Sequence, residues 1–257
     1  MVEWELRDGI AVLEVVNPPV NALDGNVLGS FAAALDEIDR SDAIALIVSG
    51  RGEAFSAGAD LFRILAESPE YLARSQVKLS ESFGRLFMFP RPVVAAVNGH
   101  AIAGGCVISC AADHVVAVDT EDVRIGLAEL KVGVPFPAWA LEIARYRVAP
   151  QFLEEALYFG RLYGPAEAMR RGFINEVVTP GALMDRAFEV ARRLAGIPKE
   201  TFRLTKEAVR WPVAERARTH GAAHDDEVRE AWASDQVRAS MQSFLDRTFG
   251  HASEPAD

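Results

Sequence analysis

The sequence predicts an α/β protein with stacked sheets, followed by a helical C-terminal portion. Two continuous apolar runs, AIALIV at 43–48 and VVAAV at 93–97, are typical of strands that are covered on both faces. Each run is followed by a turn of small residues and then by a helical pattern, which favours layered strand–helix units. We therefore predict an α/β core over residues 1–195 and a helical portion over 196–257.

The elements of the core are predicted in chain order from periodicity and turn signals. Strands over 3–7 and 10–16 flank Asp8-Gly9 and form a hairpin. Apolar spacing predicts a helix over 23–38, and the two apolar runs are the next strands. A longer helix over 69–88 ends before Pro90. The ranges that follow are a helix over 104–112, a strand over 114–118 and a further short strand over 123–125.

After Pro137 the helical signals dominate. Pro150, Pro165 and Pro198 occupy first-turn positions, where proline is well tolerated. The predicted helices cover 138–148, 150–158, 165–171, 182–195, 198–210, 213–233 and 234–249, and a strand covers 174–178. Residues 251–257 are expected to fray.

Composition and charge exclude several classes of function. The chain has 257 residues, 27 basic and 37 acidic side chains and a net charge of −10, which disfavours nucleic acid and anionic membranes as partners. The N-terminus lacks the basic and apolar regions of a signal peptide. The only cysteines, Cys106 and Cys110, lie in an apolar segment, so we expect them to be buried thiols in a reducing, cytoplasmic setting.

Two turns of small residues, at 55–60 and 99–106, follow the two buried strands. Each can present backbone N–H groups at the start of a helix, where the helix dipole is positive. Two such donors that converge on one oxygen would form an oxyanion hole. The alternative is that small residues merely permit tight turns and close helix–sheet packing.

Glu129 is a carboxylate in an otherwise apolar segment, GLAELKVG. Partial burial would raise its pKa and suit it to proton transfer. The alternative is an exposed glutamate paired with Lys131.

Two further sets of residues have the types that catalysis or metal binding uses. Ser56, His100 and Asp113 could form a hydrolytic triad, but the chain has no Gly-x-Ser-x-Gly motif. His220 and His224 have a spacing that could hold a metal, but no glutamate follows the first histidine. The sequence therefore favours ordinary structural roles for these residues and no metal site.

The segments FSAGAD, NGHAIAGGC and GLAELKVGVPFP, in this order, resemble the crotonase (enoyl-CoA hydratase/isomerase) superfamily. The resemblance covers nearly the whole chain. It implies a spiral of ββα units with a helical oligomerisation portion, a homotrimer or dimer of trimers, and an acyl-CoA thioester as substrate without a permanently bound cofactor. It also implies that the N–H groups of Ala59 and Gly104 hold the thioester oxygen and that Glu129 transfers protons. The residues it places along the substrate are Ala57, Gly58, Asp60, Leu61, Ile102, Val107, Phe136, Lys206 and Phe244.

The sequence departs from the hydratase pattern at one position. Hydratases of this superfamily carry a second glutamate directly after the GGC segment, where this chain has Val107. One carboxylate suffices for a Δ3,Δ2-enoyl-CoA isomerase, and the VPFPAW segment after Glu129 also resembles the mitochondrial-type isomerases. Hydration, another acyl-CoA reaction on this scaffold and a catalytically silent acyl-CoA-binding protein are the alternatives.

Overall fold

The computed structural model describes residues 1–219 and 221–249. Its centre contains two β-sheets, one of six strands and one of three. The strands are β1 (Val2–Arg7), β2 (Ile10–Val15), β3 (Ala45–Gly50), β4 (Ala54–Ser56), β5 (Val93–Val97), β6 (His100–Ile102), β7 (His114–Val118), β8 (Ile125–Gly126) and β9 (Glu176–Val178). The larger sheet has the order β1-β2-β3-β5-β7-β9, and the smaller has the order β4-β6-β8. Apart from the predicted β1–β2 hairpin, all of these pairs are parallel.

Helices cover the sheets and make up most of the C-terminal half. They are α1 (Gly25–Arg40), α2 (Leu61–Ala66), α3 (Pro69–Phe87), α4 (Gly104–Ala111), α5 (Glu129–Val132), α6 (Ala138–Arg147), α7 (Leu153–Tyr158), α8 (Pro165–Arg170), α9 (Leu183–Ala195), α10 (Lys199–Thr219), α11 (Gly221–Ala233) and α12 (Asp235–Phe249). Two short 3-10 turns, Pro150–Phe152 and Pro180–Ala182, precede α7 and α9.

A ββα unit recurs three times along the chain, which confirms the predicted spiral. Strands β3, β5 and β7 of the larger sheet are each followed by one strand of the smaller sheet and then by a helix. Every residue of β3 and β5 is buried, and helices α4 and α9 both pack against β5. This double coverage explains why both strands are continuous apolar runs.

In the smaller sheet, the sequence patterns did not predict β4 and β6 as strands, whereas β8 overlaps the short strand predicted over 123–125. Its strands contain only two or three residues, which is too short for a period-2 pattern to appear. The turn segments predicted to hold oxyanion donors therefore begin as strands β4 and β6, which pair in parallel. This pairing brings the two turns side by side.

The prediction of a helix break near Pro212 was wrong, because α10 continues through this residue to Thr219. A proline inside a helix removes the hydrogen bond to the carbonyl four residues earlier, here that of Ala208. Both Pro212 and Ala208 are exposed, so water can bind the freed carbonyl, while Val213 and Ala214 remain buried. The fraying predicted for 251–257 concerns residues outside the described ranges.

A buried ion cluster attaches α10 to the α/β core. Asp113 Oδ2 accepts hydrogen bonds from the backbone N–H of Val93 at 2.7 Å and from Lys206 Nζ at 2.8 Å. Asp113 Oδ1 lies 2.8 Å from Arg210 Nη2. Arg210 also donates to the carbonyl of Ala111 at the end of α4. The helical portion therefore packs on the core of its own chain.

Within the described residues, no helix combines the length and the hydrophobicity that crossing a membrane requires.

Candidate active site

A cavity of about 90 Å³ lies where the two turns of small residues meet α3, α5 and the last two helices. Its walls are almost entirely apolar. The lining residues are Ala57, Ala59, Leu61, Leu79, Phe83, Ile102, Ala103, Gly104, Ala128, Glu129, Val132, Val134, Pro137, Ala140, Trp232 and Phe244. Among these described residues, Glu129 has the only side chain that titrates.

Glu129 is the first residue of the short helix α5, directly after strand β8 and the Leu127-Ala128 pair. Its side chain is buried, with 7% exposed, and Oε2 has no hydrogen-bond partner in the described part of the chain. Burial raises the pKa of this carboxyl from 4.5 to about 8, against a smaller lowering by nearby backbone N–H groups. The alternative of an exposed glutamate paired with Lys131 is therefore wrong.

The first turn orients the backbone N–H of Ala59 by pairing with Leu23. In this parallel bridge Leu23 N donates to Gly58 O at 2.8 Å, and Asp60 N donates to Leu23 O at 3.3 Å. A parallel bridge uses the groups on either side of Ala59, so the N–H of Ala59 itself points away from Leu23. Asp60 then accepts a bond from Arg63 N at 3.0 Å and caps α2, as a residue at that position is expected to do.

The second turn presents the N–H of Gly104 at the start of α4. Gly104 is the first helical residue, and its N–H has no acceptor within the helix. The preceding residue, Ala103, has φ +50° and ψ −123°, a conformation that is costly for a residue with a Cβ atom. Such strain persists where the surroundings enforce it, and here it sets the direction in which Gly104 N points.

Gly58 keeps the two turns in close contact. Its φ is +84°, and a Cβ atom at this position would lie 2.9 Å from Gly104 N and 2.9 Å from Ile102 O. Only glycine therefore allows the first turn to approach the second without covering the Gly104 N–H. The result is two backbone donors on neighbouring turns, both at residues that border the cavity of Glu129.

The structure brings together most, but not all, of the predicted site residues. Besides Glu129, Ala59 and Gly104, it places Ala57, Leu61, Ile102 and Phe244 at the cavity. Gly58 and Asp60 belong to the first turn but do not border the cavity themselves.

Three predicted residues lie elsewhere. Lys206 is buried, and its Nζ binds Asp113 and, at 3.0 Å, the carbonyl of Arg91, so it is not available to a phosphate of coenzyme A. The side chain of Phe136 belongs to the large hydrophobic core around the six-stranded sheet, here called the main core. Its carbonyl accepts a hydrogen bond from His224 Nε2 at 2.9 Å. Val107 is 1% exposed and also packs in the main core, one turn into α4.

Sequence patterns missed the contribution of Trp232 to the cavity. This residue of α11 is buried, and its indole Nε1 donates to Pro135 O at 3.0 Å, which holds the ring against the loop after α5. Its only signal was a helical position in the C-terminal portion, and nothing in that pattern indicates which helix face meets the core.

The other candidate sites are not assembled. Ser56 Oγ donates to Asn21 O at 2.8 Å, His100 Nδ1 accepts from Arg124 N at 3.1 Å, and Asp113 binds Lys206, so they form no triad.

In the part of the chain that the structure describes, no three His, Cys, Asp or Glu side chains are grouped to hold a metal ion. His220 lies outside that part. Cys106 and Cys110 are buried, with their Sγ atoms 4.0 Å apart, and burial raises the pKa of the Cys106 thiol. Both cysteines therefore occupy the core as small apolar side chains, as predicted.

Comparison with known proteins places this geometry in one family. The enoyl-CoA hydratase/isomerase family matches residues 5–251. Human mitochondrial enoyl-CoA delta isomerase 1 is 30% identical over 249 residues, which cover 96% of this chain and 82% of that protein. A putative enoyl-CoA hydratase of Thermus thermophilus is 34% identical over 210 residues, which cover 79% of this chain and 81% of that protein.

The fold agrees with this assignment. The crystal structure of human mitochondrial delta3-delta2-enoyl-CoA isomerase superposes with a TM-score of 0.92 and 28% identity, covering 97% of this chain and 98% of that chain. The crotonase fold predicted from the three sequence motifs is thereby confirmed. The chain belongs to the enoyl-CoA hydratase/isomerase family and is an acyl-CoA enzyme of that family.

Proposed function

We propose that this enzyme is a Δ3,Δ2-enoyl-CoA isomerase in which Glu129 is the single proton carrier. The Glu129 carboxylate removes a proton from C2 of a 3-enoyl-CoA, and the electrons shift to give a dienolate of the thioester. The same carboxyl then returns the proton to C4, which gives the 2-enoyl-CoA and regenerates the carboxylate. The observation that carries this proposal is that Glu129 is the only titratable side chain among the described residues lining the cavity.

The dienolate needs hydrogen-bond donors for the negative charge on its thioester oxygen. The N–H groups of Ala59 and Gly104 supply them, since they belong to neighbouring turns and both residues border the cavity. Backbone donors of this kind are held in place before the reaction begins, so they stabilise developing charge without reorganisation. The apolar walls limit water around the intermediate.

Addition of water would require a group that positions and activates the water molecule. Hydratases of this superfamily use a glutamate for this purpose at the position of Val107, and a valine side chain can neither accept nor donate a hydrogen bond. Val107 is 1% exposed and packs in the main core, so this position supplies no acid–base group.

The coenzyme A part of the substrate lies along the first turn in this proposal. Ala57 and Leu61, which border the cavity, mark the path. Because Lys206 is bound to Asp113, the proposal names no basic residue of this chain for the phosphates of coenzyme A. A homotrimer or dimer of trimers, the absence of a permanently bound cofactor and a cytoplasmic location stay predictions. Tyr158 and Phe159 at the end of α7 are both highly exposed, and these aromatic side chains are candidates for a contact between subunits of such an assembly.

The Thermus relative favours hydration as the second candidate reaction, and parallel assays separate the two. We expect purified enzyme to convert 3-enoyl-CoA to 2-enoyl-CoA and to add water to 2-enoyl-CoA weakly or not at all. In Val107→Glu we expect the ratio of hydration to isomerisation to rise at least about tenfold above that of Val107→Gln, since only the former supplies a second acid–base group.

The wild-type result decides the assignment even if a polar residue in the core prevents folding. Hydration by the unmodified enzyme as fast as its isomerisation would reject the isomerase proposal. Binding of 3-enoyl-CoA without any turnover would instead support the silent acyl-CoA-binding alternative. Thermal unfolding of both Val107 variants, followed by circular dichroism, controls for loss of structure.

The pH dependence of the reaction follows from the raised pKa of Glu129. The carboxyl must be ionised to remove a proton, and its pKa in the free enzyme is about 8. We therefore expect kcat/KM to rise about tenfold per pH unit below this value and to level off above it. Binding of a saturated acyl-CoA over the same range controls for pH effects on affinity. A kcat/KM that is constant between about pH 6 and 9 would contradict the role of Glu129 as the base.

A further inference from the structure

Gln76 is a buried polar side chain that the proposed mechanism does not use. It lies in the middle of α3 with 1% of its surface exposed, and neither Nε2 nor Oε1 has a hydrogen-bond partner within the described residues. A buried amide normally finds partners, because its donors and acceptor lose their bonds to water on folding. Two unpartnered atoms on one side chain therefore indicate a ligand group that the isolated chain lacks.

Gln76 lies next to the cavity of Glu129. It lines a second, smaller cavity of about 10 Å³, and the two cavities share Ala59, Leu79 and Trp232 as walls. Gln76 also borders an open surface cavity on the other helices, but neither atom of its amide is exposed to solvent there. Gln76, Leu79 and Phe83 follow one another at i, i+3 and i+7 on α3, so they lie on one face of the helix. The amide thus continues the same face that borders the reaction site, beyond the position of the Ala59 donor.

Three other polar side chains around the smaller cavity already have partners. Tyr71 Oη accepts a bond from Gly25 N at 3.1 Å, and Asp60 Oδ1 accepts one from Arg63 N at 3.0 Å. Asp24 Oδ2 forms an ion pair with Arg63 at 2.6 Å. Ser75 also lines this cavity, but it is only half-buried, so its hydroxyl can bind water. Among the described residues of this wall, the amide of Gln76 is the fully buried group that is left to bind a ligand.

We infer that the acyl chain of the substrate carries a hydroxyl group that binds Gln76. A hydroxyl complements the amide because its oxygen can accept from Nε2 while its hydrogen is donated to Oε1. A terminal carboxylate fits less well, since Asp24 and Asp60 place negative charge in the same wall. This inference rests on the proposed function, which places the thioester at Ala59 and Gly104. From there we direct the acyl chain along the cavity wall that Leu79 and Phe83 of α3 form.

Binding of unreactive ligands tests this inference separately from catalysis. The probes are saturated acyl-CoA esters of six and eight carbons and the same esters with one hydroxyl, moved along the chain from C4 to the end. Affinities are measured by titration calorimetry on wild type, on Gln76→Met and on Gln151→Met, a control at an exposed glutamine. Saturated esters cannot isomerise, so these affinities stand whether or not the isomerase assay succeeds.

We expect wild type to bind at least one hydroxylated ester about tenfold more tightly than the plain ester of equal length, the size of effect expected for satisfying a buried polar group. Gln76→Met should abolish or reverse this preference, since methionine has a similar shape and no amide, while Gln151→Met keeps it. The inference is overturned if wild type shows no preference at any hydroxyl position, which would mean that a resident water satisfies the amide. It is equally overturned if the preference survives in Gln76→Met.

Discussion

Replacing Glu129 by glutamine is expected to lower the rate of isomerisation at least about 100-fold while acyl-CoA binding is retained. Glutamine has the shape of glutamate but cannot accept a proton, and the described lining of the cavity contains no other titratable side chain. The measurement is kcat with 3-enoyl-CoA, together with the affinity for a saturated acyl-CoA. Near-normal turnover by Glu129→Gln would reject both the residue and the mechanism.

The stability of Glu129→Gln toward denaturant distinguishes a loss of catalysis from a folding defect. The pKa of Glu129 is about 8 in the folded chain against 4.5 as the reference value, so the unfolded chain ionises first as pH rises. Burial of Glu129 costs least when its carboxyl is protonated, so its contribution to stability is complete below about pH 4.5. This contribution is lost as pH rises to about 8, because the unfolded chain ionises more readily than the folded one. We therefore expect Glu129→Gln to unfold at higher denaturant concentration than wild type at pH 8, with the difference vanishing near pH 4.

Glu121→Gln is the matched control for the activity measurement. Glu121 is an exposed carboxylate in the loop before β8 and does not border the cavity. Its replacement should leave turnover unchanged. A large loss in Glu121→Gln would show that an acid from this loop takes part in the reaction.

Replacing Asp113 by asparagine is expected to destabilise the fold by about 3–5 kcal/mol. Asp113 is the carboxylate that faces both Lys206 and Arg210 at 2.8 Å, and both cations are buried. Asparagine keeps the shape and one acceptor, but it leaves the two buried positive charges without a counter-charge. Removing one partner of a buried ion pair is far more costly than losing an exposed pair. Urea unfolding at one fixed protein concentration measures the change.

Two comparisons test the explanation. Asp122→Asn, at an exposed aspartate nine residues later, should change stability by no more than about 0.5 kcal/mol. Adding Lys206→Met to Asp113→Asn should recover part of the loss, because the double variant buries one positive charge fewer. A loss below about 1 kcal/mol in Asp113→Asn alone would mean that water or another group compensates for the buried charges.

The C-terminal helices contribute to the candidate active site in a way that helical periodicity did not predict. Their apolar positions predicted helices and most of their bounds, but not which face meets the core. Trp232 and Phe244 reach the cavity because α11 packs on α3 and α6 and α12 packs on α2 and α5. Lys206 and Arg210 in turn attach the preceding α10 to Asp113. The bond to Asp113 also explains why the prediction that Lys206 lies along the substrate was wrong. An isolated lysine in a sequence does not reveal whether a buried carboxylate faces it.

The amino-acid sequence was sufficient to predict the features of this protein that depend on neighbouring residues or on a periodic pattern. Continuous apolar runs predicted the buried strands β3 and β5, and three short motifs indicated the superfamily and selected Ala59, Gly104 and Glu129. Only the tertiary structure showed that the pairing of β4 with β6 brings the two donor turns together, and that Glu129 is buried with a raised pKa. The reason is that a pKa and an oxyanion hole depend on contacts between segments far apart in the chain, and these contacts leave no periodic pattern in the sequence.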